Sequence, residues 1–129
     1  MVLLDTHVVL VALGQSDIIL PPAMKMRLTQ QGEVFASVAT LWELAIKHRL
    51  GKLGLSIKLM GVPDILRDLN IEILPVQAAH ALADIGLELR TKDPFDRLLL
   101  GVCAIEGFKL ATLDRTMVDH PLAWRPFPL

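Results

Sequence analysis

At 129 residues the chain has room for a single domain, one core of that size removing roughly two thirds of the unfolded surface from water. Hydrophobic residues make up 53% and charged residues 21%, an apolar excess that predicts a sheet covered on both faces, a surface given over to a partner, or both. A formal net charge of −1 excludes a global pull toward polyanions, and the absence of Tyr beside few Phe and Trp argues against a base-stacking platform.

In chain order, Met1 to Leu4 predicts a buried strand ending at Asp5, and Thr6 to Leu13 an apolar helix closed by Gly14. The run Val8 to Leu13 is too short for a signal peptide, has no basic residues before it, and is preceded by Asp5 and His7. No later stretch reaches the ~18 apolar residues of a membrane span. A soluble, cytoplasmic protein is expected. Pro21-Pro22 can open a second helix, with its pattern ending at Gly32. Val34 to Ala36 predicts a short strand and Ser37 a cap for a helix over Val38 to Leu50. On that helix Val38, Leu41, Trp42, Ala45 and the stem of Arg49 form one side, with Thr40, Glu43 and Lys47 on the opposite, polar side.

A Gly-rich stretch follows at Gly51 to Gly54, then a weaker helical region containing Pro63 and a helix from Asp64 to about Leu69. Ile71 to Leu74 predicts another buried strand, stopped by Pro75, and Ala78 to Leu89 a helix. Asp93 starts a helix that runs to Glu106 and stops at Gly107. The lone Cys103 lies in this apolar run; it has no partner for an internal disulfide, no Cys/His cluster has zinc spacing, and a buried bystander thiol is expected. Lys109 to Leu113 is the last clear strand, with an edge strand around Trp124 as a weaker signal. Short apolar strands alternating with helices indicate a parallel sheet covered on both faces. The expected fold is a three-layer α/β/α single domain over residues 1–129, with no internal repeat.

In an open α/β sheet, ligands gather at the carboxyl ends of the strands, where Asp5 and Asp114 are expected. Each also has a local explanation, since an Asp after a strand often caps the next helix or starts a turn. Asp93-Pro94-Phe95-Asp96 reads as an N-cap, a first-position proline and an acidic first turn, which accounts for both aspartates without function. Glu43 precedes Lys47 by four residues, the favoured spacing for a surface ion pair.

If Asp5, Glu43, Asp96 and Asp114 converge, the chemistry changes. Carboxylates sharing a cleft resist ionisation unless a cation neutralises them. Oxygen ligands without thiolates or histidine pairs suit Mg²⁺ or Mn²⁺. Such ions activate water and stabilise the leaving oxygen of a phosphodiester.

At these residues the sequence resembles the PIN-domain family, specifically its VapC-type toxins. The resemblance rests on Leu3-Leu4-Asp5-Thr6-His7, on Ser37 to Lys47 with Leu41-Trp42-Glu43-Leu44-Ala45-Ile46-Lys47, on Asp93 to Leu100, and on Leu110-Ala111-Thr112-Leu113-Asp114. These pieces stand in the family's order over almost the whole chain. The resemblance implies a PIN-like fold, an acidic pocket at the carboxyl edge of the sheet, and endoribonuclease activity with Mg²⁺ or Mn²⁺. It implies a catalytic set of Asp5, Glu43, Asp96 and Asp114, with Asp5, Asp96 and Asp114 holding metal and Glu43 completing the site or orienting water. Thr6 and Thr112 would hydrogen-bond neighbouring carboxylates. A further carboxylate that some PIN domains place after the last acidic position is replaced by Arg115 and Thr116; Asp119 comes next and is not expected to be a ligand, which puts a second metal in question. The implied partners are an RNA substrate, an inhibitory protein antitoxin lying across the site, and a second copy of the chain.

His7 beside Asp5 is expected to be packed and hydrogen-bonded, and His48, His80 and His120 have no partner at catalytic or metal spacing. Lys47, His48, Arg49 and Lys52 form a basic run that predicts a solvated helix face; under a nuclease reading some of these, with Arg90, Lys92, Arg97 and Arg115, would contact RNA phosphates without reading sequence. No P-loop, Rossmann fingerprint or nucleophile elbow is present. The competing readings are an RNA-processing nuclease without an antitoxin and a non-catalytic interaction module in which all four acids are caps and surface pairs. A phospho-accepting receiver fits poorly, because Thr6-His7 stands where it would need a second acid.

Overall fold

The computed structural model describes residues 1–30, 32–86 and 91–126. Among these residues four short strands, β1 (Val2–Leu4), β2 (Val34–Ser37), β3 (Glu72–Leu74) and β4 (Lys109–Ala111), form one parallel sheet in the order β3-β2-β1-β4. The helices between them are α1 (Thr6–Ala12), α2 (Pro22–Leu28), α3 (Val38–Arg49), α4 (Val62–Asp68), α5 (Ala78–Leu82) and α6 (Pro94–Glu106). The architecture is the expected three-layer α/β/α fold.

Alternation along the strands divides the core. Val2, Leu4, Val34 and Ala36 point to one face, where they meet Val8, Val9, Met24, Leu44, Val62 and Leu66 from α1 to α4. Leu3, Phe35 and Leu110 point to the other, against Leu99, Leu100, Val102 and Cys103 of α6. Both faces are therefore covered over β1 and β2, which accounts for their lack of polar alternation. Strand β3, expected to be buried, instead lies at the sheet edge, with Glu72 exposed and Ile73 and Leu74 only partly buried. The Cys103 thiol is buried as expected, and burial pushes its pKa up to about 12.

Local chemistry sets the element ends. Ser37 caps α3 by accepting the Ala39 N–H at 3.0 Å. Pro63 lies in the first turn of α4, where a missing N–H costs no helical bond, so that helix starts at Val62 rather than at Asp64. Asp93 caps α6 with Pro94 behind it, and Gly107 closes that helix at φ 74°, a conformation that suits glycine.

Several expectations are corrected. The helix from Ala78 ends at Leu82, because Ala83 is extended and Asp84 accepts the Gly86 N–H in a local turn that competes with helix; residues 87–89 of that expected helix lie outside the described residues. The helix opened by Pro22 ends at Leu28, with the Thr29 hydroxyl donating to the Met26 carbonyl, and does not reach Gly32. Strand β4 stops at Ala111 because the Thr112 hydroxyl bonds to side chain and turn instead. Around Trp124 there is an isolated parallel bridge, Leu110 to Ala123, in place of an edge strand.

The two sides of α3 are the largest correction. Thr40, Glu43 and Leu44 are buried, whereas Val38 is 41% and Trp42 62% exposed. The polar side of this helix faces inward because the buried Thr6 hydroxyl meets both Thr40 and Glu43 there.

Candidate acidic active site

The order β3-β2-β1-β4 makes the chain leave β1 toward β2, and return later to β1's other side as β4. The crevice between the carboxyl ends of β1 and β4 is thus the topological switch point, where open α/β sheets bind ligands. Asp5 follows β1 directly and Asp114 follows β4 by a short turn.

Asp5 is 1% exposed. Its Oδ1 accepts the Val8 N–H at 2.9 Å, capping α1, and its Oδ2 accepts the hydroxyl of Thr112. Capping and site membership are therefore not alternatives for this residue. Burial raises its pKa most and the charge of Asp114 adds to that, while the bonds from Thr112 and Val8 and the proximity of His7 work the other way.

Glu43 enters from α3 and is 3% exposed. Its Oε1 accepts the Thr6 hydroxyl at 2.5 Å, and its Oε2 meets the Lys47 ammonium at 2.5 Å. The Lys47–Glu43 pair expected at the surface is thus half inside the protein. Burial pulls the ammonium's pKa down, but the bond to Glu43 and the charges of Glu43, Asp93 and Asp96 outweigh it and hold the group above its ordinary value.

Asp96 stands in the first turn of α6. Its Oδ2 accepts the Thr91 hydroxyl at 2.8 Å, and among the described residues no donor reaches Oδ1. Burial, followed by the charges of Asp93, Asp114 and Glu43, lifts its pKa to about 6 despite the Thr91 bond. Asp114 is more open. Its Oδ1 accepts both the N–H and the hydroxyl of Thr116 at 2.8 and 2.7 Å. Burial raises its pKa, but those two bonds and His7 outweigh that and leave it lowered.

Asp5, Glu43, Asp96 and Asp114 accordingly lie within one another's electrostatic reach: Asp5 with Asp114, and Asp96 with both Asp114 and Glu43. Among the described residues no three His, Cys, Asp or Glu side chains stand close enough to enclose an ion. The donor set nonetheless fits a hard divalent cation. It is all oxygen, burial and then mutual repulsion lift Asp96, and Mg²⁺ is commonly held by one or two carboxylates with water completing its shell. Asp5, Asp96 and Asp114 are the residues that would hold it.

The threonines act as anticipated, although Thr6 bonds Glu43 rather than its neighbour Asp5. Thr91 escaped sequence reasoning; its place just before the Asp93 cap is the one signal that could have marked it. His7 corrects expectation: it is exposed rather than packed, beside Asp5 and Asp114. His48 meets the Leu53 carbonyl and His120 that of Ile85, while His80 pairs with Glu106, so none of the three serves the acidic cluster. Asp119 is exposed, and Arg90 lies outside the described residues.

A topological switch point lined by repelling carboxylates defines an acidic-site α/β protein. The PIN domain family model matches residues 2–121, and the chain belongs to that family. PIN domains are generally metal-dependent nucleases. No curated protein matches the sequence.

Proposed function

We propose that this protein is a Mg²⁺- or Mn²⁺-dependent endoribonuclease that hydrolyses RNA phosphodiester bonds, residues 1–129 acting as one catalytic unit. The observation that carries the proposal is that Asp5 lies within electrostatic reach of Asp114, and Asp96 of both Asp114 and Glu43, beside the switch point, with Asp96 lifted to about 6 by burial and its neighbours' charge. Asp5, Asp96 and Asp114 hold the metal, which supplies an activated water and charge neutralisation at the phosphate. Glu43, with both oxygens engaged, completes the site, while Thr112 and Thr91 orient Asp5 and Asp96.

The same reading makes it the cytoplasmic toxin of a toxin–antitoxin pair, working as a homodimer. Support comes from the VapC-like run Leu41 to Lys47 and from an exposed apolar groove that includes Ile18, Ile19, Leu20, Leu28 and Leu69, a surface available to a protein partner. Among the described residues no helix is long and apolar enough to cross a membrane.

The test is cleavage of total cellular RNA by the purified, antitoxin-free protein with and without added Mg²⁺ or Mn²⁺, beside Asp5→Asn. Metal-dependent cleavage lost in the variant supports the nuclease. Equal cleavage by both proteins removes the assigned site, and no cleavage with either metal favours the interaction module. For the toxin role, induced expression in bacteria should arrest growth, and an adjacent small gene should relieve the arrest.

A further inference from the structure

Lys47 is more than the outer half of an ion pair. Its partner Glu43 is almost fully buried and already accepts the Thr6 hydroxyl through its other oxygen, so the ammonium completes the shell of a carboxylate inside the site. The junction that carries it is well defined. Trp42, the residue before Glu43, packs edge-on against Phe95, the residue before Asp96, with ring centroids 5.6 Å apart. This contact sets α3 beside the first turn of α6 and brings Lys47 into the field of Asp93 and Asp96 as well as Glu43. The Lys47 side chain is only partly buried, so its charge sits at the rim, directed inward by its bond to Glu43.

We propose that Lys47 is a built-in counter-cation that limits the acidic site to one divalent metal per chain. The inference rests on the metal-nuclease reading above and concerns the number of ions. Where two metals act together they stand about 3.5–4 Å apart and share bridging carboxylates. Glu43 is the acid on the α3 side of this site, and its oxygens are taken by a hydroxyl and an ammonium. A second dication there would have to displace the ammonium or sit against it. Asp96 and Asp114 each keep one carboxylate oxygen that no donor among the described residues reaches. One ion is therefore drawn toward the open oxygens of Asp96 and Asp114, with Asp5 beside them, and Lys47 serves as a positioning residue that holds Glu43 aimed without a metal of its own.

The experiment counts Mn²⁺ by calorimetry and by electron paramagnetic resonance in wild type, Lys47→Gln and Lys47→Arg. One uncoupled Mn²⁺ is expected on wild type and on the Arg variant. The Gln variant should take up a second ion, with the spectrum of an interacting pair, and bind the first roughly tenfold more tightly. Lys47→Met, which keeps the stem, serves as the neutral variant if the amide does not fold. A second Mn²⁺ on wild type, or one ion at unchanged affinity on a neutral variant, overturns the proposal while leaving the nuclease reading intact. No Mn²⁺ on wild type overturns both.

Discussion

Thr112, just past the end of β4, donates its hydroxyl to Asp5, just past the end of β1 and 107 positions earlier in the chain. The same oxygen accepts the Asp114 N–H at 3.0 Å. One hydroxyl therefore fastens two acidic residues across the crevice, and counteracts part of the burial that resists ionisation of Asp5.

Thr112→Val should cost about 1–3 kcal/mol, the usual penalty for stranding buried polar partners. Because the lost bond favoured the ionised form of Asp5, the folded-state pKa rises further, and the loss should be larger at pH 8 than at pH 5. Thr112→Ser should restore most of it. Urea denaturation at both pH values is the measurement, and a valine variant as stable as wild type at pH 8 would show that the bond is not needed.

Asp96 sets a pH signature. Its folded pKa is raised from 3.8 to about 6, so between those values the folded state retains a proton that the unfolded state has released. Stability of the metal-free protein should therefore fall from this group as pH rises through that window, and level off above it. Asp114, lowered from 3.8, acts oppositely: its contribution is present above 3.8 and is lost as pH falls through the lower folded value. Melting curves of wild type and Asp96→Asn across this range should converge at low pH and separate above about 6, with the variant the more stable.

Removing metal should reverse the ranking that metal creates. With Mg²⁺ or Mn²⁺ in excess, wild type should melt higher than it does in chelator, and by more at pH 7.5 than at pH 5, because protons compete for Asp96 below about 6. Asp96→Asn should show little of that shift and cleave RNA at least about 10²-fold more slowly. A full metal shift in the variant would place the ion away from Asp96.

Gly101 tests the packing behind the site. A Cβ there would lie 2.2 Å from the carbonyl oxygen of His80, which is backbone and cannot swing aside. Its helix α6 packs on α5 at this point, where His80 also bonds Glu106 at 2.7 Å. Gly101→Ala should destabilise the protein by about 1–3 kcal/mol or more. Proteolysis should then cut first between α5 and α6; a variant with wild-type stability would contradict the close approach.

The strands, the caps at Asp5, Ser37 and Asp93, the stop at Gly107 and the α/β class were legible in the sequence, because each depends on residues within a few positions of one another. Residue order also singled out the four acids, through the resemblance of their flanking segments to a known family. Helical periodicity failed on α3, since Thr40 and Glu43 are polar by composition yet buried by their partners, and Trp42 is apolar yet rests at the rim on Phe95. Those partners come from Thr6 and from the first turn of α6, far along the chain. What the sequence determined by itself was local: which segments fold as helix or strand and which side chains carry charge. Only the tertiary structure decided which charges share a low-dielectric crevice, and it did so through strand order, because the return of β4 to the free side of β1 brings Asp114 within reach of Asp5.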